Sequence, residues 1–129
     1  MPRFPALLLA LATALCGGAA VAADGGSDEL HVVALEPVAV PIVDGPRADV
    51  ALRFEAAIRA RDAEAAERLK AELPRLRAET VAAGLEFGRL HASRWTAVDA
   101  ERLADDLQTA LRRADPGVTG VLLLEVSAG

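Results

Sequence analysis

The residues able to do chemistry are few and scattered. The chain has two histidines, His31 and His91, one cysteine, Cys16, and serines at 27, 93 and 127. Neither histidine belongs to an H-x-H or H-x-x-x-H pair, the spacings that put two imidazoles on one metal. Glu86 and Asp99 flank His91 and would join it at a metal only if the connection folded back; the plainer expectation is an exposed loop histidine. Ser27, Ser93 and Ser127 lie outside any G-x-S-x-G elbow. Asp105 and Asp106 are adjacent, but neighbours on a helix point about 100° apart, so they read as a solvated face rather than an acid–base pair. Gly117 and Gly120 flank a strand start without the spacing of a phosphate loop. The expectation is a protein that is not an enzyme and uses no cofactor or metal. Arg94 and Trp95 remain the pair worth following. Tryptophan is enriched at interface hot spots, although a lone Trp near a helix start more often covers the edge of its own core, and that is the reading preferred here.

The N-terminus bears on location. Arg3 precedes an apolar run over 6–23, broken by Thr13, Cys16 and Gly17–Gly18. A short basic start, an apolar middle and small residues before a polar segment make the pattern of a secretory signal peptide, with cleavage expected between Ala23 and Asp24. Leu15 before Cys16 disfavours a lipidated cysteine. About 18 apolar residues also suffice for a membrane anchor, so residues 6–23 would hold the chain at the inner membrane if uncut. The net charge is −5, and removing Arg3 would increase the acidic excess. No cluster of Lys and Arg suits a phosphate backbone, so nucleic acid is not an expected partner. Without Cys16 the exported chain would have no cysteine, and an aliphatic, alanine-rich core must hold it together.

The elements that would position these residues follow the hydrophobic period. Residues 24–29, DGGSDE, read as a flexible linker. Residues 30–47 are extended and Val-rich, with Pro37 and Pro41 marking an edge strand or two short ones and DGPR a turn. In 48–60, Val50, Leu52, Phe54, Ala56 and Ile58 alternate with Ala51, Arg53, Glu55, Ala57 and Arg59, a strand with one buried and one wet face. From Asp62 the period becomes helical through Ala66, Leu69, Leu73, Leu76, Thr80, Ala83, Phe87 and Leu90. A kink is expected near Pro74, as one rod or two pieces, and Gly84 and Gly88 weaken the far end, so that the helix could stop at either. Thr96 to Asp99 has the look of a capping box before a second helix, whose inward residues are Leu103, Leu107, Ala110, Leu111 and Ala114. Residues 118–126 close the chain as an apolar strand, expected to be central. The fold class is α+β: a small, mostly antiparallel sheet with two helices on one face, in the order β-β-α-α-β. Leu69, Leu73 and Leu76 are expected to form the core against Val50, Leu52 and Phe54.

Leu35-Glu36-Pro37 at the opening, Leu73-Pro74-Arg75-Leu76-Arg77 in the helix and the Val-rich run from Val118 to Val126 together resemble the periplasmic domain of FliL, the flagellar basal-body-associated family. The resemblance covers residues 30–127, read as a single domain. It implies a stomatin/prohibitin-like fold, no catalytic residues, and assembly with itself or with an envelope complex such as the flagellar stator. The chain departs from the family in its short N-terminal lead and its credible cleavage site, which would make it a soluble periplasmic relative. An alternative of a different class is a small periplasmic ligand-binding module, with a cleft between the sheet and the stretch GRLHASRW (88–95).

Overall fold

The computed structural model describes residues 30–129. The signal or anchor over 1–23, the Ala23–Asp24 cleavage point, Cys16, Ser27 and the 24–29 linker lie outside the described residues. Seven elements follow in order: β1 (His31–Ala34), β2 (Val38–Asp44), β3 (Arg47–Ala60), α1 (Ala63–Ala71), α2 (Leu73–His91), α3 (Ala100–Ala114) and β4 (Val118–Ala128). The architecture is α+β, with an antiparallel four-stranded sheet and the helices on one face.

β3 organises the sheet. Its far end pairs with β1, Val33 opposite Ile58, and its near end with β2, Val40 opposite Leu52. β1 and β2 therefore lie end to end along one edge of β3. Between them, Glu36 and Pro37 interrupt a strand that Pro37 cannot continue, because it lacks an N–H. β4 pairs along the other edge of β3, from Ala60 opposite Val118 to Leu52 opposite Ala128. The expectation that the apolar terminal strand would be central is thus wrong. β3 is central and β4 is an edge; the unbroken apolar run in β4 comes from α3 on one side and a half-open sheet face on the other.

The period-two reading of β3 holds on the helix side, where Leu52, Phe54, Ala56, Ile58 and Ala60 are all buried. On the other face Arg53 and Arg59 are exposed, while Ala57 is buried beneath its larger neighbours. Val50 and Leu73, expected in the core, are only partly buried and pack against its margin. Leu69 and Leu76 are fully buried.

The helical stripe is two helices. Asp62 caps α1, its Oδ1 accepting the Ala65 N–H at 2.7 Å. Glu72 ends α1 and precedes α2, with φ −100° and ψ 10°. Pro74 explains the break: a continuous helix would bring its ring against the carbonyl four residues back, whereas in a first turn its missing N–H costs nothing. Beyond it, α2 passes through both glycines and ends at His91. The helix stops at neither glycine, and at Gly84 the reason is packing. A Cβ on Gly84 would stand 2.9 Å from Phe54 Cε1, so glycine lets the helix lie directly on β3 and β2. Thr80, the polar member of the stripe, is buried and donates to the Leu76 carbonyl at 2.8 Å. Leu90, expected to continue the stripe, is exposed and turns toward a groove against α3.

α3 buries Leu103, Leu107 and Leu111. Its cap is Asp99 itself, whose Oδ1 accepts the Arg102 N–H at 3.1 Å. The expected capping box at Thr96 does not form, because Thr96 shares a 2.8 Å hydrogen bond with Ser93 in the preceding turn.

An ion pair, its carboxylate buried and its guanidinium part-exposed, joins the start of the helical layer to its end. Asp115 follows α3 and is buried, and its two oxygens accept from Arg68 Nε at 3.0 Å and Nη2 at 2.9 Å. Asp115 Oδ1 also accepts the Gly117 N–H at 2.7 Å. Gly117 is needed there: a Cβ would stand 2.5 Å from Arg68 Nη2 and 3.1 Å from the Ala65 Cβ. Bidentate pairing of this kind fixes geometry as well as charge. The Arg68 guanidinium holds the Asp115 carboxyl down to about 2 from its ordinary 3.8, against the opposing effect of burial.

Two predictions follow from this packing. Leu69→Ala should cost about 2–5 kcal/mol, the range for deleting a fully buried leucine, and Leu73→Ala distinctly less, read from urea denaturation midpoints. Equal costs would refute the assignment of Leu69 to the core and Leu73 to its rim. Because the Asp115 pKa is lowered on folding, its contribution is complete above pH 4 and fades as pH falls toward 2. Asp115→Asn should therefore destabilise the protein at pH 7, and the gap to wild type should narrow between pH 4 and pH 2. A gap independent of pH would show that the ion pair does not supply the stability.

Candidate interaction surface

The residues examined for catalysis are not brought together. His31 sits in β1 at one end of the sheet. His91 is not a loop residue but the last residue of α2, half-buried with its ring 5.6 Å from that of Phe87. Asp105 is exposed on α3 and Asp106 half-buried, on different sides of the helix. Among the described residues, no group of three or more His, Cys, Asp or Glu side chains is placed to hold a metal ion. Ser93 works locally. Its Oγ accepts the N–H groups of Trp95 and Thr96, both at 3.2 Å, and so shapes the connection between α2 and α3.

Arg94 and Trp95 sit in that connection with opposite orientations. The Arg94 side chain is 15 % exposed and points back to the β2–β3 hairpin. Its Nη2 donates to Asp49 Oδ1, and its Nε lies 3.8 Å from Asp44 Oδ2. The hydrogen bond from Arg94 lowers the Asp49 pKa. One guanidinium thus ties the loop to both sides of the hairpin turn. Because Arg94 turns inward, its neighbour turns out: Trp95 is 80 % exposed. The expectation that Trp95 covers the edge of its own core is therefore wrong. Its ring centroid lies 5.9 Å from the Arg94 guanidinium carbon, which helps to orient it. The hairpin carries a second exposed apolar side chain, Val43, beside Asp44. Charge and spacing in the sequence could not show that Arg94 had aspartates to reach, and that is what decides where Trp95 points.

The surface of the described residues carries shallow grooves, three of which concern the residues above. One, of about 270 Å³, lies at the break between β1 and β2, lined by Ala34, Leu35, Glu36, Leu73, Pro74 and Arg77. Arg77 closes one side of it through an ion pair with Glu36 at 3.1 Å. A second, of about 170 Å³, lies on the open face of the sheet beside Arg53, Glu55 and Glu125. The third, of about 310 Å³, runs between α2 and α3, with Leu90 and His91 facing Arg102 and Asp106. Enclosed sites for small molecules run from about 300 to 1,000 Å³, so these grooves are at or below the lower limit. Of GRLHASRW, Leu90 and His91 line the third groove, which faces α3 rather than the sheet. Among the described residues, no helix is long and apolar enough to cross a membrane. The chain matches no protein-family model and no curated protein.

Trp95 is the single tryptophan of the chain, so intrinsic fluorescence reports its position directly. Emission should have the long wavelength of a water-exposed indole and be quenched freely by iodide. Trp95→Ala should change folding stability by less than about 0.5 kcal/mol, as for other surface substitutions. Blue-shifted, protected emission would place the ring against the body of the protein and remove the exposed surface.

Proposed function

We propose that this chain is a non-enzymatic, exported interaction protein of FliL-like type, acting in the periplasm and assembling with itself or with an envelope complex of the flagellar motor. The observation that carries the interaction reading is Trp95. A large amphipathic ring stands in solvent on a loop that Arg94 and Ser93 hold in one conformation, beside a hairpin presenting Val43. A rigid aromatic anchor binds with little loss of conformational freedom, which is why such residues dominate interface energetics. The flagellar part of the reading rests on the resemblance of the Leu35–Pro37, Leu73–Arg77 and Val118–Val126 segments to FliL. The element order, with strands, then helices on one face, then a terminal strand, supports the same reading. Export rests on residues 1–23, cleaved between Ala23 and Asp24 in a soluble protein or retained as an inner-membrane anchor.

Deleting the gene in the source organism and following its motility tests the proposal. Spreading in soft agar should fall while filaments still assemble, and wild-type protein should restore it. Trp95→Ala, expressed at the same level, should not. Unchanged motility would reject the flagellar role, and full complementation by Trp95→Ala would reject this surface as its site.

A further inference from the structure

The two edges of the sheet are built differently. On the outer side of β1 and β2, the strand is interrupted at Glu36–Pro37, Pro41 lacks an N–H, and the register shifts between Ile42 and Asp44. These are devices that prevent a further strand from adding. β4 has eleven residues, VTGVLLLEVSA, with no proline, lysine or arginine and one charge, Glu125. Its own ladder shows which groups face outward. Ala51 and Gly129 exchange backbone hydrogen bonds at 3.2 and 3.1 Å, and the Arg61 N–H donates to the Gly117 carbonyl. Bonds alternate along an antiparallel pair. With the shift at Leu124 included, the backbone N–H and C=O of Val121, Leu123 and Val126 therefore face away from β3.

We propose that β4 pairs antiparallel with β4 of a second copy, about a two-fold axis at Leu122, making one continuous sheet with the helices of both copies on the same face. This rests on the self-assembly part of the proposed function and names its surface. The register follows from the positions of β4 residues along β3. Leu122 meets Leu122 of the other copy, Val121 and Leu123 exchange backbone bonds, Val126 meets Val118, and Glu125 comes opposite Gly120. The outward-facing groups of Val121 and Leu123 are then paired in full, and the Val126 N–H meets the carbonyl of Val118, a residue whose own N–H already donates to the Asp115 carbonyl; both register-shift residues, Thr119 and Leu124, fall between paired positions. Thr119 needs no backbone partner on this side, because Arg112 donates to its carbonyl at 2.6 Å.

Charge selects a second copy as the occupant. Within one copy, Glu125 lies directly opposite Glu55, and neither has an ion-pair partner among the described residues. Like charges directly opposite one another weaken a sheet. At the other end of the same face, Arg59 lies opposite Gly120, which has no side chain to cover it. The two-fold axis carries the carboxylate end of one copy to the arginine end of the other. Glu125 of each copy then reaches across Gly120 to Arg59 of its partner, twice per dimer.

The test is sedimentation analysis of the full chain with single and paired charge substitutions. Wild type should be dimeric at micromolar concentration. Glu125→Arg and Arg59→Glu should each weaken dimerisation at least tenfold, and the double swap in one chain should restore it. These side chains are exposed, so folding should be unchanged by circular dichroism. Leu122→Glu, placing two carboxylates on the axis, should give a monomer. A dimer indifferent to all four variants would overturn this pairing while leaving self-assembly through another surface. A monomer at every concentration would overturn both the pairing and the self-assembly reading, and loss in the single variants without rescue in the double would overturn the Glu125–Arg59 contact.

Discussion

Among the described residues, every other strand is hydrogen-bonded to β3, and that dependence governs the rest. β1 and β2 share one edge of it and β4 takes the other, so among the described strands β3 alone has both rows of backbone groups satisfied by strands. Its register decides which side chains meet the helices. A slip of one residue would exchange Leu52, Phe54 and Ile58 for Arg53, Glu55 and Arg59 on the helix side, and the arginines and glutamate would then be buried without partners. The core is therefore specified by a single alternation. With three phenylalanines, one exposed tryptophan and no tyrosine, little aromatic bulk is available to correct an error elsewhere.

Two close approaches make that alternation sufficient. At one end, Gly84 removes the atoms that would hold α2 away from Phe54. At the other, Gly117 admits Arg68, so that α1 is tied to the turn between α3 and β4 by a bidentate pair. Both contacts replace side-chain volume with backbone proximity. An alanine-rich chain can close its core this way without large side chains, because dispersion contacts depend on distance more steeply than on atom count. The break at Glu72 belongs to the same scheme. A straight helix from Ala63 to His91 would have one direction, whereas α1 must cover the β1 end of the sheet and α2 the β2 end. Pro74 supplies the change of direction at the first turn of the second helix.

Much of this was legible in the residues. The alternation of 48–60, the change of period at Asp62 and the prolines of the first edge strand gave the class, the sheet and its helix-covered face. What was not legible depended on partners far along the chain. Gly84 and Gly88 left the helix end open because local propensity counts only the backbone cost of glycine, and the Phe54 ring that makes Gly84 useful is thirty positions away. The apolar content of β4 read as central burial, but one covered face and a half-covered other face produce the same run. Asp99 read as the last residue of a capping box, three positions after the cap, when it was the cap itself, a shift of three that the sequence pattern alone does not resolve. Trp95 is the most consequential case. Its direction follows from Arg94, and the direction of Arg94 from Asp44 and Asp49, so three residues had to be placed in space before the fourth could be read.

The same accounting bears on what kind of function the surface supports. A displaced carboxylate pKa can mark a functional site or a structural ion pair, and the partner that causes it tells which. Here Asp49 is lowered by Arg94, Glu86 by Arg89, Asp62 by the Ala65 amide and Asp115 by Arg68. Each displacement points toward the ionised form and is explained by a hydrogen bond that holds the fold together. Beside these structural pairs, the described surface carries a solvent-exposed Trp95 on a clamped loop, Val43 on the hairpin beside it, and a β4 strand whose outer backbone groups have no strand to meet.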